Sequence, residues 1–196
     1  MNIELYDTTL RDGAQQSGIS LSLKDKINIT LKLDELGIPS IEGGYAGSNP
    51  KDDEYFKLIQ KENLSNSTIS AFGSTRKPNS KIESDQIVSA MLSSEAKTLA
   101  VVGKSSSKQV EKVLETTLDE NLSMISETIN HLKERDRRVI FDAEHFFDGF
   151  FTNKDYALNT LNVAINSGAD IVALCDTNGG MIPEDIKNVI NGLFRK

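Results

Sequence analysis

Three charged residues follow the first apolar run of the chain. In the segment "DTTLRDGAQQ", Asp7, Arg11 and Asp12 occupy a stretch that an ordinary tight turn would fill with small uncharged residues. Carboxylates are ligands of hard divalent cations, and a guanidinium stabilises an oxygen that becomes negative during a reaction. The residue types are therefore those of a site that handles an oxyanion next to a cation.

Charged residues also end most of the later apolar runs. The acidic ones are Glu42, Asp142, Glu144 and Asp176. In parallel α/β folds the carboxyl ends of the strands form the floor of the active site. Burying a carboxylate costs several kcal/mol unless it is paired or binds a cation. Acids gathered on one rim around Arg11 predict a metal site with an oxyanion substrate.

A simpler explanation exists for any one of these acids, because Asp and Asn after a strand commonly cap helices and form turns. The recurrence over six strands is what favours a site. The Gly-rich segment "EGGYAGSNP" lacks the spacing of both common nucleotide-binding loops, so it is weak evidence of a phosphate site. Cys175 has no histidine near it in the sequence and is expected to be a buried structural thiol inside a strand.

The elements that must position these residues follow a regular alternation of strand-like and helical segments. The predicted strands are 3–9, 40–45, 68–74, 98–103, 138–145 and 170–176. The predicted helices are 23–36, 51–61, 84–94, 107–134 (broken near 117–119), 154–167 and 184–194. This alternation implies a parallel sheet with right-handed crossovers. An open doubly wound sheet and a (β/α)8 barrel both fit, although a barrel typically needs about 250 residues and eight units.

Composition narrows the class of protein. The chain has 196 residues, 38% hydrophobic and 26% charged, which suits one globular core without a linker. Its formal net charge of −7 argues against nucleic acid as a partner. A single cysteine fits a reducing compartment, and the sequence shows neither a signal peptide nor an apolar run of about 20 residues. We expect a cytoplasmic protein without a membrane partner.

Several motifs together resemble one enzyme superfamily. "YDTTLRDGAQQSG" resembles the opening signature of the DRE-TIM metallolyases, which include isopropylmalate, homocitrate and citramalate synthases and hydroxymethylglutaryl-CoA lyase. "IEGGYAGSNPKD", "FGSTRKPN", "FDAEHFFDGF" and "LCDTNGG" look most like the (R)-citramalate synthases. The resemblance runs from residue 3 to residue 187. It implies an α/β fold of the (β/α)8 TIM-barrel type, of which residues 1–196 would be an incomplete N-terminal portion of about six units, with no second domain.

The resemblance also implies a reaction. An acyltransferase of this kind condenses acetyl-CoA with pyruvate to (R)-citramalate in isoleucine biosynthesis, with a divalent cation (Mg, Mn or Zn) as cofactor. The cation would polarise the keto oxygen of pyruvate. The implied site residues are Arg11 at the keto oxygen, Glu42 orienting Arg11, Glu144 assisting proton removal from the acetyl methyl group, Gln15 and Thr177 at the substrate, and Asp12 as a metal ligand.

One part of the family pattern is missing from this sequence. The superfamily completes its metal site with a His-x-His pair on the seventh strand, whereas the only histidines here are His131 and His145. We therefore expect a chain truncated before strands seven and eight that binds metal weakly, is inactive alone and forms a homo-oligomer to cover its open strand edges. Arg76 and Lys104, which could meet the phosphates of CoA, are expected to be solvated.

Two other functions stay open. One is condensation of acetyl-CoA with a different 2-oxo acid, as in 2-isopropylmalate or homocitrate synthase, because a single methylene is worth only about 1–3 kcal/mol of discrimination. The other is a non-catalytic barrel fragment that acts as a binding or assembly partner.

Overall fold

Six parallel strands form one sheet in which the strands lie in chain order. The computed structural model describes residues 3–194. The strands are β1 (Tyr6–Asp7), β2 (Ser40–Tyr45), β3 (Thr68–Ser74), β4 (Thr98–Lys104), β5 (Arg138–Glu144) and β6 (Ile171–Leu174). The helices are α1 (Leu23–Glu35), α2 (Pro50–Ile59), α3 (Gln86–Ser93), α4 (Ser107–Lys112), α5 (Leu118–Lys133), α6 (Phe146–Thr152), α7 (Lys154–Asn166) and α8 (Pro183–Phe194). Over this part of the chain, no helix is both long and apolar enough to cross a membrane.

The sheet is strongly curled. Glu4 precedes β1 and Arg138 begins β5, so in a flat sheet four strand spacings, roughly 19 Å, would separate them. Arg138 Nη2 nevertheless lies 3.6 Å from Glu4 Oε2. The sheet therefore bends into the greater part of a barrel, which distinguishes it from an open doubly wound sheet.

Alternate residues of the strands face two different environments, as the two-residue period of a strand requires. On the convex face, Ile41, Leu99 and Phe141 are fully buried in the main core beneath the helices. On the concave face, Phe72 and Ile140 flank Ala100 in adjacent strands and form a smaller apolar cluster. The concave face is the interior of the curled sheet, and at the carboxyl ends of β4 and β5 it carries Lys104, Asp142 and Glu144.

A buried ion pair joins the first two helices to β2. Lys26 of α1, only 2% exposed, bonds to Asp52 near the start of α2. Asp52 also accepts a hydrogen bond of 3.2 Å from the backbone N–H of Tyr45. The neighbouring glycines are needed for this close packing: a Cβ on Gly43 would lie 2.4 Å from Tyr55 Cε1, and one on Gly44 would lie 2.8 Å from the carboxyl carbon of Asp52. The glycines of this Gly-rich segment thus serve side-chain packing.

Arg76 is also structural, and the expectation that it is solvated was wrong. It is 4% exposed, and its Nε and Nη1 donate to Glu127 and Glu120 of α5, each at 2.6 Å. The two carboxylates raise the pKa of Arg76 against the opposing effect of burial. The pairs therefore tie the loop after β3 to α5.

The predicted elements differ from the structure in two main places. β1 has two residues where seven were predicted. It ends at Asp7 because the chain turns at Thr8, whose carbonyl accepts bonds from the N–H groups of Arg11 and Gly13. Helix α6 was not predicted, since its sequence "FFDGFFT" has a glycine in the middle. That glycine, Gly149, packs so closely that a Cβ would lie 2.2 Å from the Ser105 carbonyl oxygen.

Candidate active site

Arg11 and Glu42 form the centre of the site. Arg11 lies on the turn after β1 and Glu42 points inward from β2, with side chains 16% and 2% exposed. Arg11 Nε donates to Glu42 Oε2 at 2.6 Å. The guanidinium carbon lies 3.9 Å from the centre of the Phe72 ring, a cation–π contact. The position and the plane of the guanidinium are therefore both constrained.

The electrostatics of this pair keep a positive charge in the curled sheet. Burial raises the pKa of Glu42, and Arg11 and the Tyr6 hydroxyl only partly offset that rise. Burial by itself would lower the pKa of Arg11, but the charge of Glu42 raises it overall. Arg11 is thus a permanent cation whose donors can meet a developing oxyanion.

A second carboxylate faces the same cavity. Asp142 of β5 and the Arg11–Glu42 pair line a cavity of about 310 Å³ on the concave face. Cys175 Sγ lies 2.6 Å from Asp142 Oδ1 and donates to it. Burial raises the pKa of both Asp142 and Cys175, and the Asp142 charge raises that of Cys175 further. Cys175, which follows β6 instead of lying inside it as expected, is therefore a hydrogen-bond donor and a poor nucleophile.

Glu144 and Lys104 form an ion pair at the barrel mouth. They are the last residues of β5 and β4 and lie opposite each other in the ladder. Their side chains are 26% and 18% exposed. The expectation that Lys104 is simply solvated was therefore wrong, because its ammonium group pairs with a predicted catalytic residue.

Asp12 and Gln15 lie close to Arg11 in the chain but are more exposed. The Asp12 side chain is 66% exposed, and its contact is a weak one of 3.4 Å with Arg11 Nη1. Gln15 is exposed and lines a separate cavity of about 210 Å³ together with Arg11 and Lys26. Both side chains are therefore accessible from solvent, and that of Gln15 can contact a ligand bound in this cavity beside Arg11.

Thr177 lies after β6, beside the residue that follows Glu144. Its Oγ1 accepts a 2.8 Å hydrogen bond from the backbone N–H of His145. His145 has φ of 57°, the left-handed region, and Nδ1 of its ring lies 2.9 Å from Asp148 Oδ2. The hydroxyl therefore joins the ends of β5 and β6.

Two of the acids at strand ends take part in local turns. Asp7 accepts from the backbone N–H of Thr9, and Asp176 accepts from those of Gly180 and Met181. The hydrogen bonds of these two residues are therefore those of ordinary turn residues, as the simpler explanation expects. The charges of Glu144 and Asp12 raise the pKa of Asp142, and the charge of Asp142 raises the pKa of Glu42.

The described residues do not by themselves fit a complete metal site. Within residues 3–194, no three His, Cys, Asp or Glu side chains converge closely enough to hold a metal ion. Asp12 would supply a single carboxylate, whereas divalent cations such as Mg²⁺ take about six donors. Asp12 as a metal ligand stays a prediction.

Sequence reasoning missed Tyr6, Phe72 and Ser70, all of which surround the Arg11–Glu42 pair. A signal was present for two of them, because the alternation in "TISAFGS" places Ser70 and Phe72 on one face of β3. Their proximity to Arg11, however, depends on the register of three strands.

A curled parallel sheet with charged side chains at the carboxyl ends of its strands defines a barrel of the TIM class. The model of the HMGL-like family matches residues 2–196, and the chain belongs to this family, the DRE-TIM group that its motifs resemble. The resemblance read from the sequence is thus confirmed.

Named relatives are similar over almost the whole chain. The (R)-citramalate synthases of Aquifex aeolicus and Synechocystis are 50% and 52% identical over 187 and 191 residues, covering 95% and 97% of this chain. The 2-isopropylmalate synthase of Methanocaldococcus jannaschii is 32% identical over 99% of this chain. In all three comparisons the match covers 35% of the relative, so the chain spans about a third of the length of these proteins.

Solved structures share the fold. The hydroxymethylglutaryl-CoA lyases of Bacillus subtilis and Pseudomonas aeruginosa superpose with TM-scores of 0.80 and 0.78 at 16% and 19% identity. Each match covers 97% of this chain and 63% of the lyase chain. The prediction of a TIM-barrel type of fold, with about six of its units in this chain, is confirmed.

Proposed function

We propose that the protein containing these residues is an acyltransferase that condenses acetyl-CoA with pyruvate to give (R)-citramalate and free CoA. The observation that carries this proposal is the identity of about half of all positions with relatives named (R)-citramalate synthase, against 32% with the isopropylmalate synthase. We further propose that residues 1–196 supply the first six units of its catalytic barrel.

The reaction needs a fixed positive charge and a base. A proton leaves the acetyl methyl group, the resulting carbanion forms a carbon–carbon bond with the keto carbon, and the keto oxygen becomes an alkoxide that takes up a proton. Water then hydrolyses the thioester and releases CoA. Arg11, held by Glu42 and Phe72, would stabilise the alkoxide, and Glu144, at the partly exposed barrel mouth, would assist removal of the methyl proton.

The remaining site residues have binding roles in this proposal. Gln15 would contact the bound oxo acid from its cavity beside Arg11, and Thr177 would bind the substrate carboxylate through its hydroxyl. Asp12 would be one ligand of the divalent cation implied by the family resemblance. Among the described residues, Arg11 is the group that would stabilise the developing negative charge. Cytoplasmic location, suggested by the single cysteine, and homo-oligomer formation complete the proposal.

A steady-state assay of the full-length protein tests the function. CoA release from acetyl-CoA is measured with pyruvate and, separately, with 2-oxoisovalerate. A kcat/KM at least about tenfold higher for pyruvate supports the proposal, since the two acids differ by apolar carbons whose discrimination is of that order.

Two outcomes contradict it. A preference for 2-oxoisovalerate would indicate an isopropylmalate synthase. A folded protein that releases no CoA with either acid would indicate a non-catalytic partner.

A further inference from the structure

Tyr6 places a buried hydroxyl against the carboxylate that holds Arg11. The tyrosine is 36% exposed, but its hydroxyl lies inside the curled sheet and donates to Glu42 Oε1 at 3.1 Å. The same hydroxyl oxygen lies 2.6 Å from Ser70 Oγ. The hydroxyl has one proton, so donation to Glu42 makes Ser70 the donor to Tyr6.

The result is a directed chain of hydrogen bonds that ends at the guanidinium. Ser70 donates to Tyr6, Tyr6 donates to one oxygen of Glu42, and the other oxygen of Glu42 accepts from Arg11 Nε. With both oxygens bonded, the Glu42 carboxylate has one orientation. Without the Tyr6 hydroxyl, Oε1 would be a buried charged acceptor with no partner among residues 3–194, which is a costly arrangement.

We propose that Tyr6 is a positioning residue for Arg11: its hydroxyl fixes the Glu42 carboxylate, and that carboxylate fixes the guanidinium against the face of Phe72. This role rests on the proposed function only in that Arg11 is the group that meets the substrate. It explains why a strand of two residues at the edge of the sheet carries a phenol whose hydroxyl points inward.

Three charged or titratable groups face Glu42, and together with burial they determine the pKa of its carboxyl group. Arg11 approaches from the turn after β1, Tyr6 from β1 and Asp142 from β5. Burial and the Asp142 charge raise the pKa of Glu42, whereas Arg11 and Tyr6 lower it. Removal of the hydroxyl should therefore raise the pKa of Glu42, so that it is protonated, and releases Arg11, at a higher pH.

Nuclear magnetic resonance of the 196-residue chain tests the proposal without any assay of activity. The probe is the Arg11 Nε–H signal, followed against pH in the wild type and in Tyr6→Phe. We expect a displaced signal with faster hydrogen exchange, and a midpoint of its pH dependence that moves to higher pH. The matched control is Tyr156→Phe in α7, which removes a buried hydroxyl that accepts from Asn121 at 2.8 Å and has no hydrogen bond to Arg11 or Glu42 among the described residues.

The proposal is overturned if Tyr6→Phe leaves the Arg11 signal, its exchange rate and its midpoint unchanged, or if Tyr156→Phe changes them equally. Should Tyr6→Phe not fold, Ser70→Ala removes the first donor of the chain and should move the same signal in the same direction. In the full-length enzyme, Tyr6→Phe should lower kcat more than it raises KM. Failure of the pyruvate assay would contradict the proposed function and leave the resonance result intact.

Discussion

The Arg11 side chain interacts with three residues of the candidate site. Its Nε bonds to Glu42, its face covers Phe72 and its charge acts on Asp142. Glu42 lies 31 positions away, and the family resemblance implied its pairing with Arg11, whereas no pattern in the sequence indicated Phe72. Contacts that depend on strand register cannot be read from residue spacing, which is also why Tyr6 escaped prediction.

The planar guanidinium is the property that the site uses. Arg11→Lys keeps the positive charge but loses the stacking on Phe72 and the Nε bond to Glu42. Under the proposed function, we expect kcat of the full-length protein to fall by about 10²–10³, the usual loss when a donor to a developing oxyanion is removed. The measurement is CoA release, with the exposed Arg135→Lys as the matched control. Equal rates for the two variants would show that Arg11 has no catalytic role.

Asp142 should destabilise the folded chain at neutral pH. Because burial raises its pKa above the unfolded value of about 3.9, the folded state binds the proton more tightly, and stability falls as pH rises through the window between the two values. Asp142→Asn should therefore raise the Tm at pH 8 by about 2–4 °C, with the gain disappearing near pH 3. Thermal unfolding at the two pH values measures this, and a lower Tm of the variant at pH 8 would contradict it.

At the scale of elements, the buried Lys26–Asp52 pair should be essential to the first βαβ unit. Lys26→Met leaves the Asp52 carboxylate buried without its cation, so we expect a loss of about 3–5 kcal/mol in the free energy of unfolding. Lys32→Met is the matched control, because it breaks an exposed pair with Glu35 on the same helix and should cost no more than about 1 kcal/mol. Urea unfolding measures both. Similar losses of unfolding free energy in the two variants would show that the buried Lys26–Asp52 pair contributes no more stability than an exposed pair.

Most elements could be predicted from the sequence, for reasons that also explain the failures. The strands at 40–45 and 68–74 were predicted with their observed bounds, since loop residues border both segments. The break near Thr117 is real, because its side chain caps α5. Helix α6 was not predicted, because the reason for its central glycine, the close packing of Gly149 against Ser105, is visible only in the structure.

At the scale of the whole molecule, the curled sheet is open within the described residues. β1 and β6 are the two ends of the strand order. Unpaired strand edges favour association. We expect the 196-residue chain to form oligomers at micromolar concentration. Light scattering coupled to size exclusion measures this, and a monodisperse monomer would contradict it.

The irregularity in β2 has a consequence for how this barrel can diversify. Glu42 pairs with Ser70 but Gly44 pairs with Ala71, so the strand contains one extra residue just after Glu42. Glu42 and Tyr45 can then face the same side although an odd number of positions separates them. The extra residue lies between Glu42 and the loop that begins at Ala46. We therefore expect changes in the length or composition of this loop to leave the position of Glu42, and with it the Arg11–Glu42 pair, unchanged. Relatives with the same irregularity could differ in the ligand that this loop contacts and keep the pair.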